Sequence, residues 1–178
     1  MSILRTTFLY FSRFVPRPAL AAPFMLSSHP GHADLKEETL TLPDDRRIEG
    51  INDFIFSIDQ NGVQQRISNV KGTFLFVDYS SVTSTVDRVD VKKDRFHVAI
   101  TVARPRPKDQ DQATEMLWQD EMLDIITNIR RVIRHDEDLK RSVWWLDFPT
   151  TISPWNAPSL GNSTGWTMEF DITGIDIV

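Results

Sequence analysis

The chain has 178 residues, with 20 Lys plus Arg against 25 Asp plus Glu, ten prolines, seven glycines, no cysteine and 40% hydrophobic residues. That is the composition of one globular domain with room for an appendage. The missing cysteines exclude a disulfide scaffold, a thiolate nucleophile, a Cys-ligated zinc site and an iron–sulfur cluster. A net charge of -5 argues against broad wrapping of nucleic acid, which needs a basic face.

The charge is unevenly placed. Residues 1–33 hold Arg5, Arg13 and Arg17 and no acid, a charge of +3, which leaves -8 for the remainder. Phe8, Tyr10, Phe11, Phe14 and Phe24 make this basic start aromatic, and Pro16, Pro18 and Pro23 forbid one continuous spanning helix. The expectation is an extended arm that lays its aromatics on a neighbouring surface. An alternative is a leader at residues 1–28, removed from an organellar or secreted enzyme or binding module. Residues 27–50 read as a polar connector rich in turn formers, so the chain divides into an arm and connector, 1–50, and a body, 51–178.

In the body the apolar period becomes two. Phe54, Phe56 and Ile58 alternate with polar or opposite-facing neighbours. Gln60-Asn61-Gly62 then predicts a hairpin turn, with residues 63–70 as the return strand. Further strands are predicted over 73–79, 85–91 and 95–104, the last alternating Phe96, Val98, Ile100 and Val102 and stopped by Pro105 and Pro107. A helix follows over 112–134, with Trp118, Met122, Ile125, Ile126, Ile129, Val132 and Ile133 at helical spacing and charges opposite. A charged exit at residues 135–138 reads as solvated. A Pro-rich loop precedes a closing strand over 166–172, with Trp166, Met168, Phe170 and Ile172 on one face. The predicted fold is α+β: a mainly antiparallel sheet of about four to six strands, covered by one long helix, with an extended N-terminal arm.

Chemistry-bearing motifs are few. There is no phosphate loop, dinucleotide fingerprint, metalloprotease His pair or nucleophile elbow; Gly161-Asn162-Ser163-Thr164-Gly165 is a Gly-bounded turn. His29 and His32 sit in the connector and read as solvated, and His97 faces away from Phe96 and Val98. Asp120 and Asp124 are neighbours on the wet side of the helix. No catalytic, cofactor-binding or metal-ligating residue is predicted, and no cofactor. Tryptophan is more informative, because all five lie from residue 118 onward. Trp118 and Trp166 fit core positions, whereas Trp144, Trp145 and Trp155 lie in or beside the Pro-rich loop. With Phe8, Tyr10, Phe11, Phe14 and Phe24, they are the candidate interface residues.

From Gly72 to Ile177 the chain resembles the neck and tail-completion proteins of tailed bacteriophages, tail terminators among them. The resemblance rests on a Phe-Leu-Phe-Val-Asp-Tyr strand, a Phe-His-Val-Ala-Ile-Thr-Val strand, a Glu-Met-Leu-Asp-Ile-Ile-Thr-Asn-Ile helix and a closing Gly-Trp-Thr-Met-Glu-Phe-Asp-Ile. It implies a non-enzymatic virion protein, assembled in the host cytoplasm, whose identical subunits form a ring joining head to tail or finishing the tail tube. The implied partners are its own copies and adjacent portal, connector or tail proteins, with DNA passing through the lumen unbound and no membrane. The acid-free start and the Trp-rich loop depart from the family pattern. The acidic body independently suits a channel wall that repels phosphate.

Overall fold

The computed structural model describes residues 2–24, 27–58, 64, 66–67, 70, 72–86, 92–107, 111–136, 145–147 and 151–174. Its elements run α1 (Ile3–Ser12), a 3-10 segment (Arg17–Phe24), α2 (His32–Thr41), β1 (Asp53–Ser57), β2 (Phe74–Val86), β3 (Lys92–Pro105), α3 (Gln112–His135), β4 (Trp145–Asp147), β5 (Ser153–Ala157) and β6 (Ser163–Gly174). The strands form one mixed sheet of order β1-β2-β3-β6, and the far edge of β6 is shared by β4 and β5. The fold is therefore α+β with a mostly antiparallel sheet and one long helix.

The sheet departs from the expected first hairpin. Strand β1 runs parallel to β2, from Asp53↔Phe74 to Ser57↔Asp78. The described part of the crossing segment is not a return strand: Gln64, Arg66 and Ile67 are helical, and Ile67 is buried. A parallel neighbour needs such a crossover, whereas a two-residue turn can join only antiparallel strands. Residues 60–62, the proposed turn, lie outside the described residues. The predicted strands over 73–79 and 85–91 begin one longer strand, β2, with residues 87–91 outside the described set. A register shift between Tyr79 and Val82 falls in the stretch between the two predicted strands.

One face of the sheet carries the main core. Phe54, Leu75, Val77, Phe96, Val98, Ile100, Val102, Met168, Phe170 and Ile172 point the same way and pack with Met122, Ile126, Ile129 and Ile133 of α3. The helix begins at Asp111, whose carboxylate accepts from the Thr114 amide (3.0 Å), and it ends with Arg134 and His135 in the last turn. Its observed span agrees with the predicted one to a single residue.

The N-terminal segment is not an extended arm. Helix α1 starts at Ser2, whose hydroxyl accepts from the Arg5 amide (3.4 Å). Phe8, Leu9, Phe11, Phe14, Val15, Leu20 and Phe24 are buried in the same core as α3 and the sheet. Phe8 meets Phe54 at 5.6 Å and Phe56 at 5.3 Å between ring centroids, and Phe11 meets Phe170 at 5.9 Å. The three prolines all follow the helix, so they terminate it without breaking it. The connector, too, contains a helix, α2, tied to α1 by an Arg5–Glu38 ion pair. Leu35 and Leu42 pack on the core from it. Cutting at residue 28 would strip these aromatic side chains from the core.

The acidic exit of α3 differs from its expected solvated state at Asp136, which is buried. The Arg46 guanidinium grips its carboxylate with two nitrogens, at 2.7 and 2.5 Å, and the Tyr10 hydroxyl donates to it at 2.9 Å. A carboxylate at a helix C-terminus opposes the helix dipole, and a bidentate guanidinium offsets that cost. The Pro-rich loop is also more ordered than expected, since β5 pairs with β6 from Ser153↔Thr167 to Ala157↔Ser163.

Candidate functional site

The second face of the sheet is where polar groups gather. Period-two geometry places Ile55, Phe74, Phe76, Asp78, Arg95, His97, Thr101, Ala103, Gly165, Thr167, Glu169 and Asp171 on it. One end is apolar. Ile55, Ile67, Phe74, Phe76, Ala103 and Leu160 form a smaller buried cluster against which Trp155 packs. Trp155 stands opposite Gly165, which stands opposite Ala103. A Cβ on Gly165 would run into the Val102 carbonyl and Ala103, so this row is kept small where the indole lies.

Moving along the strands, the same face turns polar. The Thr101 hydroxyl donates to the Thr167 hydroxyl at 2.9 Å. Beyond that pair, His97 Nδ1 lies 3.0 Å from an Asp171 oxygen, and the Arg95 guanidinium lies 3.5 Å from the other. The second His97 nitrogen faces Glu169 at 3.9 Å. The imidazole thus stands between two carboxylates, and none of the described hydroxyls is hydrogen-bonded to its second nitrogen. This is a charged lattice across strands, with a His–Asp pair but no nucleophile joined to it.

Between the apolar and charged zones lies a shallow open cleft of about 250 Å³, lined by Ile58, Phe76, Asp78, Trp155 and the chain from Asn156 to Leu160. Asp78 is half-buried, and desolvation pushes its carboxyl above the ordinary carboxylate value, against smaller opposing effects of the Tyr79 amide and His97.

A third feature is an open sheet edge. Strand β1 accompanies β2 only as far as Asp78, so from Tyr79 to Val86 the outer edge of β2 has no paired strand among the described residues. Residues 80–84, Ser-Ser-Val-Thr-Ser, are exposed. They contain no charge and no proline, two of the usual guards of a free edge; the register shift between Tyr79 and Val82 is a third kind and falls at their start.

The predicted interface residues divide among these features. Phe8, Phe11, Phe14 and Phe24 are buried in the chain's own core, and Tyr10 is half-buried against Asp136, so they are not an aromatic surface for neighbours. Trp144 lies outside the described residues. Trp145 begins β4, opposite Thr173. Among the described predicted residues, Trp155 lines the cleft. Trp118 and Trp166 are half-buried against the core as expected; the Arg104 guanidinium stacks 3.5 Å above Trp118, and the Trp166 indole donates to the Gln119 carbonyl at 2.9 Å.

The histidines of the connector do not converge on a shared site. The His29 ring accepts from the Gly31 amide at 3.1 Å, while the His32 ring packs edge-on to Phe24. Among the described residues no three His, Asp or Glu side chains gather in a way that could hold a metal ion. None of the helices in that set is long and apolar enough to cross a membrane. Sequence reasoning missed Asp78 and the β2 edge. The uncharged run Ser80–Ser84 was the available signal for the edge. No protein-family profile and no curated protein matches this chain.

Proposed function

We propose that this chain is a structural virion protein of a tailed phage, a ring-forming subunit of the neck or tail-completion region that joins head and tail. One observation carries the reading: the long, uncharged outer edge of β2 beyond Asp78. An edge of this kind exposes backbone donors and acceptors ready to pair with another strand, and proteins that stay monomeric normally blunt it. Identical subunits joined edge to partner surface in a head-to-tail manner close into a ring when the rotation allows.

The acidic balance supports the same role. Asp78, Glu169 and Asp171 on the second face exceed the nearby Arg95 and His97 in charge when the imidazole is neutral. An acidic lumen lets DNA pass without sticking. The partners in this reading are identical subunits and the neighbouring portal, connector or tail proteins, and the place of action is the virion.

Native mass spectrometry with electron microscopy of the full chain tests it. Closed rings of one subunit are the expected result, and the double substitution Ser81→Lys/Thr83→Lys, which charges the edge, should yield monomer with an unchanged fold. A chain that stays monomeric at every concentration overturns the reading, as does a ring whose bore is basic.

A further inference from the structure

The cleft beside Asp78 combines three properties that define a ligand class. Its wall is aromatic and aliphatic, from Trp155, Phe76 and Leu160. Its charged group is the half-buried Asp78 carboxylate, with the polar Asn156 and Ser159 also in the lining. That carboxylate makes no ion pair among the described residues: Arg95 and His97, on the same face, are both directed to Asp171, at 3.5 and 3.0 Å. A partly desolvated carboxylate without a counter-cation is costly, and an incoming positive charge recovers that cost.

We propose that this cleft binds an organic cation, a guanidinium or ammonium group on an apolar stem, with the charge against Asp78 and the stem along Trp155 and Phe76. An anion is excluded by the carboxylate. A hard divalent ion needs six or more oxygen ligands, and the cleft offers one carboxylate with no second acid or histidine among its described lining residues. A cation with a hydrocarbon or delocalised body matches both halves of the wall, since indole and phenyl faces attract positive charge. The cation can be an arginine or lysine side chain of a protein partner or a free amine, which share this chemistry.

Titration of the full-length protein, followed by amide chemical shifts, tests the site with three probes: N-acetyl-arginine methylamide, agmatine and the neutral N-acetyl-citrulline methylamide. The two cations should bind weakly, with a dissociation constant of about 1 mM. Shifts should be confined to Phe76, Asp78 and the segment from Trp155 to Leu160, with no response to the citrulline compound. Asp78→Asn should weaken binding about tenfold. Trp155→Leu should weaken it as well, which keeps the test decisive if the first variant folds poorly. Tighter binding of the arginine compound marks a protein side chain as the source, and tighter binding of agmatine marks a free amine. Equal binding of citrulline, an unaffected Asp78→Asn variant, or no response to either cation overturns the proposal. The same titration on the edge-charged variant separates it from the assembly reading, because the cleft does not need the β2 edge.

Discussion

At the scale of single residues, the most consequential contact is one that a linear reading disguises. Asp136 stands in a run of charged residues and looks solvated. Its partners, Arg46 and Tyr10, lie 90 and 126 positions away, so no local pattern could have revealed the cluster. Burial, reinforced by the Asp136 carboxylate, pushes the Tyr10 phenol well above its ordinary value. The sign of the consequence follows from linkage. The folded protein holds the phenolic proton more tightly than the unfolded chain. The stabilisation from this group is therefore fully present below the unfolded value of about 10 and is lost as pH rises above it. Denaturant titrations of wild type and Tyr10→Phe should show their stability difference moving against wild type by about 1.4 kcal/mol per pH unit above that point. Tyr79 is common to both proteins and cancels. A difference that stays flat through the alkaline range contradicts the buried geometry of Tyr10.

Elements differ in how plainly they were written. Helix α3 and strands β3 and β6 carry long uninterrupted periods, and the structure reproduces all three, because amphipathic patterning decides structure wherever one face alone is buried. Strand β1 was legible as a strand but not as the parallel neighbour of β2, since pairing direction is set by a crossover that leaves little trace in alternation. Helix α1 was missed for another reason. Phe8, Phe11 and Val15 recur at helical spacing, and residues 2–15 contain no proline, yet the prolines just beyond dominated the reading of the segment. Phe14 is completely buried beneath this region, and the Ile48 amide donates to its carbonyl at 3.0 Å. Phe14→Ala should therefore cost about 3–5 kcal/mol, as core Phe truncations do. The expected readout is a lower denaturant midpoint with an unchanged slope. A loss below about 1 kcal/mol would show that the segment packs only loosely on the body.

At the scale of the whole molecule, stability and availability for partners are distributed in opposite directions across the sheet. Strand β3 is flanked by β2 and β6 along most of its length, with α3 over one face, so its amides open only when the protein unfolds. The outer edge of β2 past Asp78 has neither a paired strand among the described residues nor burial over 80–84. The candidate surface was thus hidden from sequence reading by its plainness, since Ser and Thr in a strand announce neither core nor chemistry. Hydrogen exchange at two protein concentrations separates the two zones. In dilute protein, amides of β3 should exchange at the global unfolding rate and the outward-facing amides of residues 80–84, those not paired with β3, much faster. As the concentration rises into the assembling range, protection should appear selectively at residues 80–84, with β3 unchanged. Ser81→Lys/Thr83→Lys should abolish the concentration dependence while leaving β3 protected. Protection gained elsewhere, with residues 80–84 still exchanging fast, would move the subunit contact to another surface and remove the β2 edge as the basis of assembly.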